Sequence, residues 1–234
     1  QEIAQEIMED KLRSLHEEIF RIYSEEYDAN PVSYFKGLPY QRYDRIKLKG
    51  KRWTPEKRIK DYGIDKYVSH GGSILDIGCN TGFMIIELAY MYKAGICHGK
   101  EQNPYLCRIG ELVAGYLGVE DKIRFFECKF EDYKDCKIDN RYDLILSLAA
   151  FCTADGRERE SAESYFHRCK TLLKTGGFII YESVSYDKNA KDVHYAKAKE
   201  AVRAMDSIFN KVESTVKPSG SLGWVREYFI AEKR

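Results

Sequence analysis

The stretch that most constrains this chain runs from Ser73 to Phe83 and reads S-I-L-D-I-G-C-N-T-G-F. Ile74, Leu75 and Ile77 form a short apolar run that ends in a glycine turn, and beyond Gly82 the apolar residues take helical spacing. This is the pattern of a buried strand, a tight turn and the opening of a helix, the unit that starts nucleotide-binding α/β domains. Gly78 and Gly82 suit a loop in which a side chain would hold a ligand away from the backbone. Asp76, at the end of the strand, sets a carboxylate beneath whatever lies over the loop.

Two classes of ligand compete for such a loop. Dinucleotide enzymes use G-x-G-x-x-G to aim backbone N–H groups at a pyrophosphate. Here the string is D-x-G-x-N-x-G, with an acid two residues before the first glycine and Asn80 in place of the middle one. A carboxylate there repels phosphate, whereas S-adenosylmethionine (SAM) carries an ammonium and a sulfonium and no phosphate. The loop resembles motif I of the class I SAM-dependent methyltransferases. That resemblance spans roughly Lys66 to Lys233 and implies a Rossmann-like α/β fold: a seven-stranded, mostly parallel sheet ending in an antiparallel hairpin. It further implies SAM as cofactor and S-adenosylhomocysteine (SAH) as product, with cofactor contacts at Asp76, Gly78, Cys79, Asn80, Gly82 and Phe83. Glu101, followed by Gln102, ends the second expected strand, where an acid accepts the hydroxyls of a ribose. Dinucleotide enzymes carry an acid there too, so Glu101 gains its meaning only together with the loop. The family usually has Asp where Lys129 stands, and this departure leaves Phe130, Glu131 or Asp132 to contact the adenine. Ser147, at the end of the fourth strand and the start of the family's reaction centre, completes the expected cofactor contacts.

A chain of 234 residues has room for one α/β domain with an extension. The resemblance places the boundary at 65: residues 1–65 as an N-terminal helical extension, residues 66–234 as the methyltransferase domain. A hydrophobic content of 44% excludes a disordered chain. No apolar run approaches ~20 residues, so no membrane span is expected, and the charged, helical N-terminus is unlike a signal peptide. Seven cysteines without a C-x-x-C pair suggest reduced thiols and a cytoplasmic location. The five histidines show no zinc-like spacing, so no metal is expected.

Residues 1–27 place Ile3, Ile7, Leu12, Leu15, Ile19, Ile22 and Tyr23 at three- and four-residue intervals, an amphipathic helix, for packing on the domain or on a partner subunit in a homodimer, or as a lid over the site. Asn30-Pro31 breaks the helix. From Tyr34 to Tyr67 the chain turns basic and aromatic, and Thr54-Pro55 marks a helix start within it. Tyr40, Arg42, Tyr43 and Arg45 are candidate acceptor contacts, because arginine pairs bidentately with phosphate or carboxylate. Single-stranded nucleic acid also suits bases interleaved with rings. A net charge of +1 and the lack of an RNA-binding module rank it below a small anionic acceptor.

The reaction implied is methyl transfer from SAM to an oxygen or nitrogen of a small acceptor, phosphorylated or sugar-like, as in glycan or metabolite tailoring. Candidate general bases are Asp155, Glu182 and His194, the last because its unperturbed pKa is ~6.5. The string after Ser147 contains neither an N-P-P-Y motif nor a Pro-Cys nucleophile, which disfavours methylation of nucleobases. An RNA methyltransferase, a catalytically silent SAM-binding partner subunit and an oxidoreductase are the remaining readings.

Overall fold

The computed structural model describes residues 2–32, 35–130, 138, 141–151, 161–190, 192–219 and 223–234. The chain opens with α1 (Glu2–Ala29) and α2 (Pro55–Asp61). Strands and helices then alternate: β1 (Ser73–Ile77), α3 (Phe83–Met91), β2 (Ile96–Glu101), α4 (Pro104–Leu117), β3 (Ile123–Glu127) and β4 (Tyr142–Leu148). The second half comprises α5 (Ala162–Leu172), β5 (Leu173–Glu182), β6 (Tyr186–Asp187), α6 (Val193–Ile208), β7 (Asn210–Pro218) and β8 (Trp224–Glu232). One sheet runs β3-β2-β1-β4-β5-β8, with β7 on the far edge of β8 and the two-residue β6 paired to the start of β8. β1 to β5 are mutually parallel, and β8 is antiparallel to β5 and β7.

Local chemistry explains these boundaries. Every residue of β1 is buried, as a strand covered on both faces requires. Thr54 caps α2 by accepting from Lys57 N at 3.2 Å, with Pro55 at the first helical position. Asn103 caps α4 in the same way ahead of Pro104, and Gly118 ends it with φ +68°.

The seven strands implied by the resemblance are all present, joined by the short β6. Two stretches depart from regular geometry. The helix begun at Thr54 stops at Tyr62 and Gly63 (φ +62°) and resumes only as a 3-10 turn at Ile64–Tyr67. The Lys174–Gly177 turn lies inside β5, because Tyr142 already pairs with Leu173 and Leu144 next pairs with Phe178. The intervening residues bulge from the ladder, with Gly176 at φ +75°.

Helices cover both faces of the sheet. On one, Ile74, Leu144, Leu146, Ile180 and Tyr228 pack against α1, α2, α3 and α4. On the other, Leu75, Ile77, Ile145, Ile179 and Phe229 pack against α5 and α6. Leu15, Ile19, Ile22 and Tyr23 of α1 belong to the first core, so residues 1–65 share their hydrophobic interior with the sheet. Cys79, Cys97, Cys107 and Cys169 are free and buried. Cys128 is disulfide-bonded, which corrects the expectation of an entirely reduced set. Among the described residues no helix is long and apolar enough to cross a membrane, and no cluster of His, Cys, Asp or Glu could hold a metal ion.

Candidate cofactor and acceptor site

The site is built at the carboxyl ends of the parallel strands, where open α/β sheets bind ligands. β1 delivers Asp76, only 4% exposed, on the face covered by α3. Its carboxyl has no hydrogen bond or ion pair among the described residues. Burial pushes its pKa up to about 7, the Arg58 guanidinium opposing and Glu101 reinforcing the rise. A buried carboxylate without a partner is costly, and that cost is relieved by a cationic ligand.

The loop after β1 is held by its own backbone. Gly78 N and Cys79 N both donate to Lys100 O, at 2.8 and 3.1 Å. Gly78 is exposed at φ +71°, and an added Cβ would meet Ala150 Cβ at 3.0 Å. At Gly82, φ +70°, an added Cβ would come within 2.5 Å of the Phe125 ring, so that glycine answers to packing on β3 rather than to a ligand. Asn80 adopts φ +56° and its side chain accepts from Thr81 N at 2.8 Å. The Thr81 hydroxyl donates to Gln41 Oε1 at 3.1 Å, which ties the segment before α2 to the loop.

Glu101 ends β2 and accepts from three backbone N–H groups: Asn80 at 3.1 Å, Gln102 at 2.8 Å and Asn103 at 3.0 Å. Burial raises its pKa against the opposing pull of those bonds and of Lys100. A carboxylate offers about four acceptor positions, so Glu101 shapes the loop and keeps little capacity for ribose hydroxyls. Gln102 is exposed beside it.

Other expected contacts point elsewhere. Cys79 is buried against β2, where a Cβ on Gly99 would meet its Sγ at 2.6 Å. Burial holds its thiol well above the ordinary range, so it is no thiolate nucleophile. Phe83 is fully buried and stacks near Tyr43, ring centroids 5.1 Å apart. Ser147 is fully buried on the opposite face and shares a 2.8 Å hydrogen bond with the Tyr165 hydroxyl. Phe130 is buried against Tyr165, and its carbonyl accepts from Arg168 Nη1 at 3.1 Å. Glu131, Asp132 and Asp155 lie outside the described residues.

Of the candidate acceptor contacts, Tyr43 and Arg45 turn inward to Glu87 of α3. Tyr43 OH donates to Oε2 at 2.8 Å, and Arg45 donates to both carboxylate oxygens at 2.7 and 2.6 Å. Arg42 is exposed and paired with Asp44 at 2.6 Å, and the half-buried Tyr40 accepts from Arg52 Nε at 2.8 Å. Glu182, 3% exposed at the end of β5, is bonded to Arg226 Nη1 (2.8 Å), Arg58 Nη2 (3.4 Å) and the Tyr62 hydroxyl. His194 belongs to α6, on the face of the sheet opposite Arg58 and Tyr62, and its buried Nδ1 has no partner. Sequence reading thus missed Gln41, Tyr62 and Arg226. Arg58 stood in the basic run without distinction, and nothing in the local pattern marked Arg226.

Residues 74–177 match the family model for a methyltransferase domain. The sheet order and the loop after β1 agree with that match, and the chain has the fold of the class I SAM-dependent methyltransferases. The chain is 20% identical over 211 residues to a ubiquinone biosynthesis O-methyltransferase of Salmonella typhi, covering 88% of this chain and 81% of the relative. A relative of the same name from Photorhabdus laumondii is 19% identical, covering 88% and 82%. The geranyl diphosphate C-methyltransferase of Streptomyces coelicolor, solved with SAH, shares the fold at TM-score 0.57 and 13% identity, covering 76% of this chain and 79% of that one. The (4+2)-cyclase SpnF does so at TM-score 0.58 and 12% identity, covering 75% and 80%. The fold alone therefore does not dictate the reaction.

Proposed function

We propose that the chain transfers a methyl group from SAM to an oxygen of a small acceptor. The observation that carries this reading is Asp76: a buried, unpartnered carboxylate at the end of β1, under a loop whose glycine backbone is open to a ligand. A ligand cation fits it and a pyrophosphate does not. SAM supplies a methyl on a sulfonium, already activated for displacement, together with an ammonium that suits Asp76. Asp76 would hold the cationic end of the cofactor, Gly78 would let it approach the backbone, and Glu101 would keep the loop in shape through its three N–H bonds. Aligning acceptor with donor is then the main task of the protein, worth on the order of 7–11 kcal/mol in well-oriented pairs. The preference for oxygen is supported by the relatives named O-methyltransferases. Glu182, already bound by two guanidiniums and a tyrosine, acts here through those partners rather than as a proton acceptor.

Thermal melting with SAM, SAH, NAD and NADP in parallel tests the cofactor. At 100 times its dissociation constant a ligand stabilises the native state by about 2.7 kcal/mol. SAM and SAH are expected to raise the melting temperature and the dinucleotides to leave it unchanged; the reverse pattern would overturn the reading.

A further inference from the structure

We propose that Arg58 and Arg226, flanked by Lys217, form a subsite for an anionic group of the acceptor, with Glu182 as the internal countercharge that positions both guanidiniums. The proposal rests on the methyltransferase reading and adds the acceptor's chemistry: a carboxylate or phosphate. The two arginine side chains are 20% and 16% exposed and converge on a carboxylate that is 3% exposed. Arg226 is locked in place, its Nε donating to Ser219 Oγ at 2.9 Å and its Nη1 to both Glu182 Oε1 and Ser183 O. Tyr62 donates to the other oxygen of Glu182, and its carbonyl accepts from Tyr228 OH, so aromatic walls surround the group.

Two guanidiniums share one carboxylate, and a third cation stands beside them. Lys217 sits directly opposite Arg226 in the β7–β8 ladder, with Nζ 4.1 Å from the centre of the Tyr228 ring. Like charges at such a position are destabilising. Arg58 and Arg226 thus share the one carboxylate of Glu182, while Lys217 Nζ donates to Asp61 O at 3.2 Å. A guanidinium has five N–H donors, yet Arg58 Nε and Nη1 and Arg226 Nη2 make no hydrogen bond among the described residues, and none is sealed from solvent. Unused, partly buried, pre-oriented guanidinium donors are what an oxyanion requires.

Position separates this group from the cofactor's amino-acid end. β8 lies three strands from β1 in the order β1-β4-β5-β8, which at ~4.8 Å per strand is roughly 14 Å. An anion gripped by Arg226 therefore belongs to a second molecule, over the ends of β5 and β8. Arg58 spans the interval, bonding Glu182 while its field reaches Asp76.

The test is calorimetric titration of the SAH-saturated protein with inorganic phosphate and with benzoate, at low ionic strength. Wild type is expected to bind one or both, Arg58→Gln and Arg226→Gln to bind at least tenfold more weakly, and the exposed control Arg13→Gln to match wild type. Glu182→Gln removes the countercharge and is expected to bind the anion severalfold more tightly, an effect that mere misfolding would not produce. Wild-type binding by both arginine variants, or no binding by wild type with SAH in place, would overturn the proposal while leaving SAH binding and the methyltransferase reading untouched. A tenfold loss of SAH affinity in Arg226→Gln would overturn it too, by assigning the gripped anion to the cofactor. Failure of wild type to bind SAH at all would remove both readings.

Discussion

Asp76 is where stability and binding oppose each other. Its folded-state pKa is about 7, against ~3.9 in an unfolded chain. The folded state therefore holds this proton more tightly. The resulting contribution is fully present below pH ~4 and is lost as pH rises through about 7, where a buried charge costs as much as ~4 kcal/mol. Asp76→Asn is expected to raise the melting temperature of the ligand-free protein at pH 8, with the gain shrinking toward pH 5, and to abolish the stabilisation by SAH. In wild type, SAH affinity is expected to climb with pH through about 7, because only the ionised carboxyl attracts an ammonium. Calorimetry across pH 5.5–8.5 measures this, and a flat profile would count against Asp76 as the cation site.

At the scale of elements, the segment between α1 and β1 is fastened by a few polar anchors, and Arg45–Glu87 is a largely buried one. Glu87 is 3% exposed and accepts from both Arg45 and Tyr43. Arg45→Ala leaves that carboxylate short of its charge partner, for which a loss of about 3–5 kcal/mol is expected in urea unfolding, with SAH affinity of the folded fraction unchanged. A variant as stable as wild type would show the pair to be dispensable. The same pair marks what the sequence could reveal. The bounds of β1, α4, β3 and β4 are legible in the sequence, because each is set by local signals such as Pro104, Gly118 or an apolar run. The acids Asp76 and Glu101 were legible from their places in the pattern. Tyr43 and Arg45 read as acceptor contacts because their partner, Glu87, is separated from them by α2, β1 and the loop that follows it. Arg226 joins Glu182 only through the antiparallel pairing of β5 with β8, a contact no local window contains.

On the scale of the whole molecule, α1 is part of the interior rather than an appendage. Leu15, Ile19, Ile22 and Tyr23 are each at most 5% exposed. Burying four such side chains at roughly 2 kcal/mol each approaches the ~5–15 kcal/mol that holds a typical domain together. Removing residues 1–30 is therefore expected to abolish cooperative thermal unfolding, followed by circular dichroism, rather than to release a stable core. A truncated chain that melts as sharply and as high as the parent would overturn this. The position of β8 has a further consequence. It is the last strand in the chain, yet it lies between β5 and β7. On the ribosome, at roughly 5–20 residues per second, Glu182 emerges some seconds before Trp224. Throughout that wait the apolar edge of β5 has no partner. The nascent chain is thus exposed to mispairing at that edge, which makes β5 the place where a chaperone would matter most.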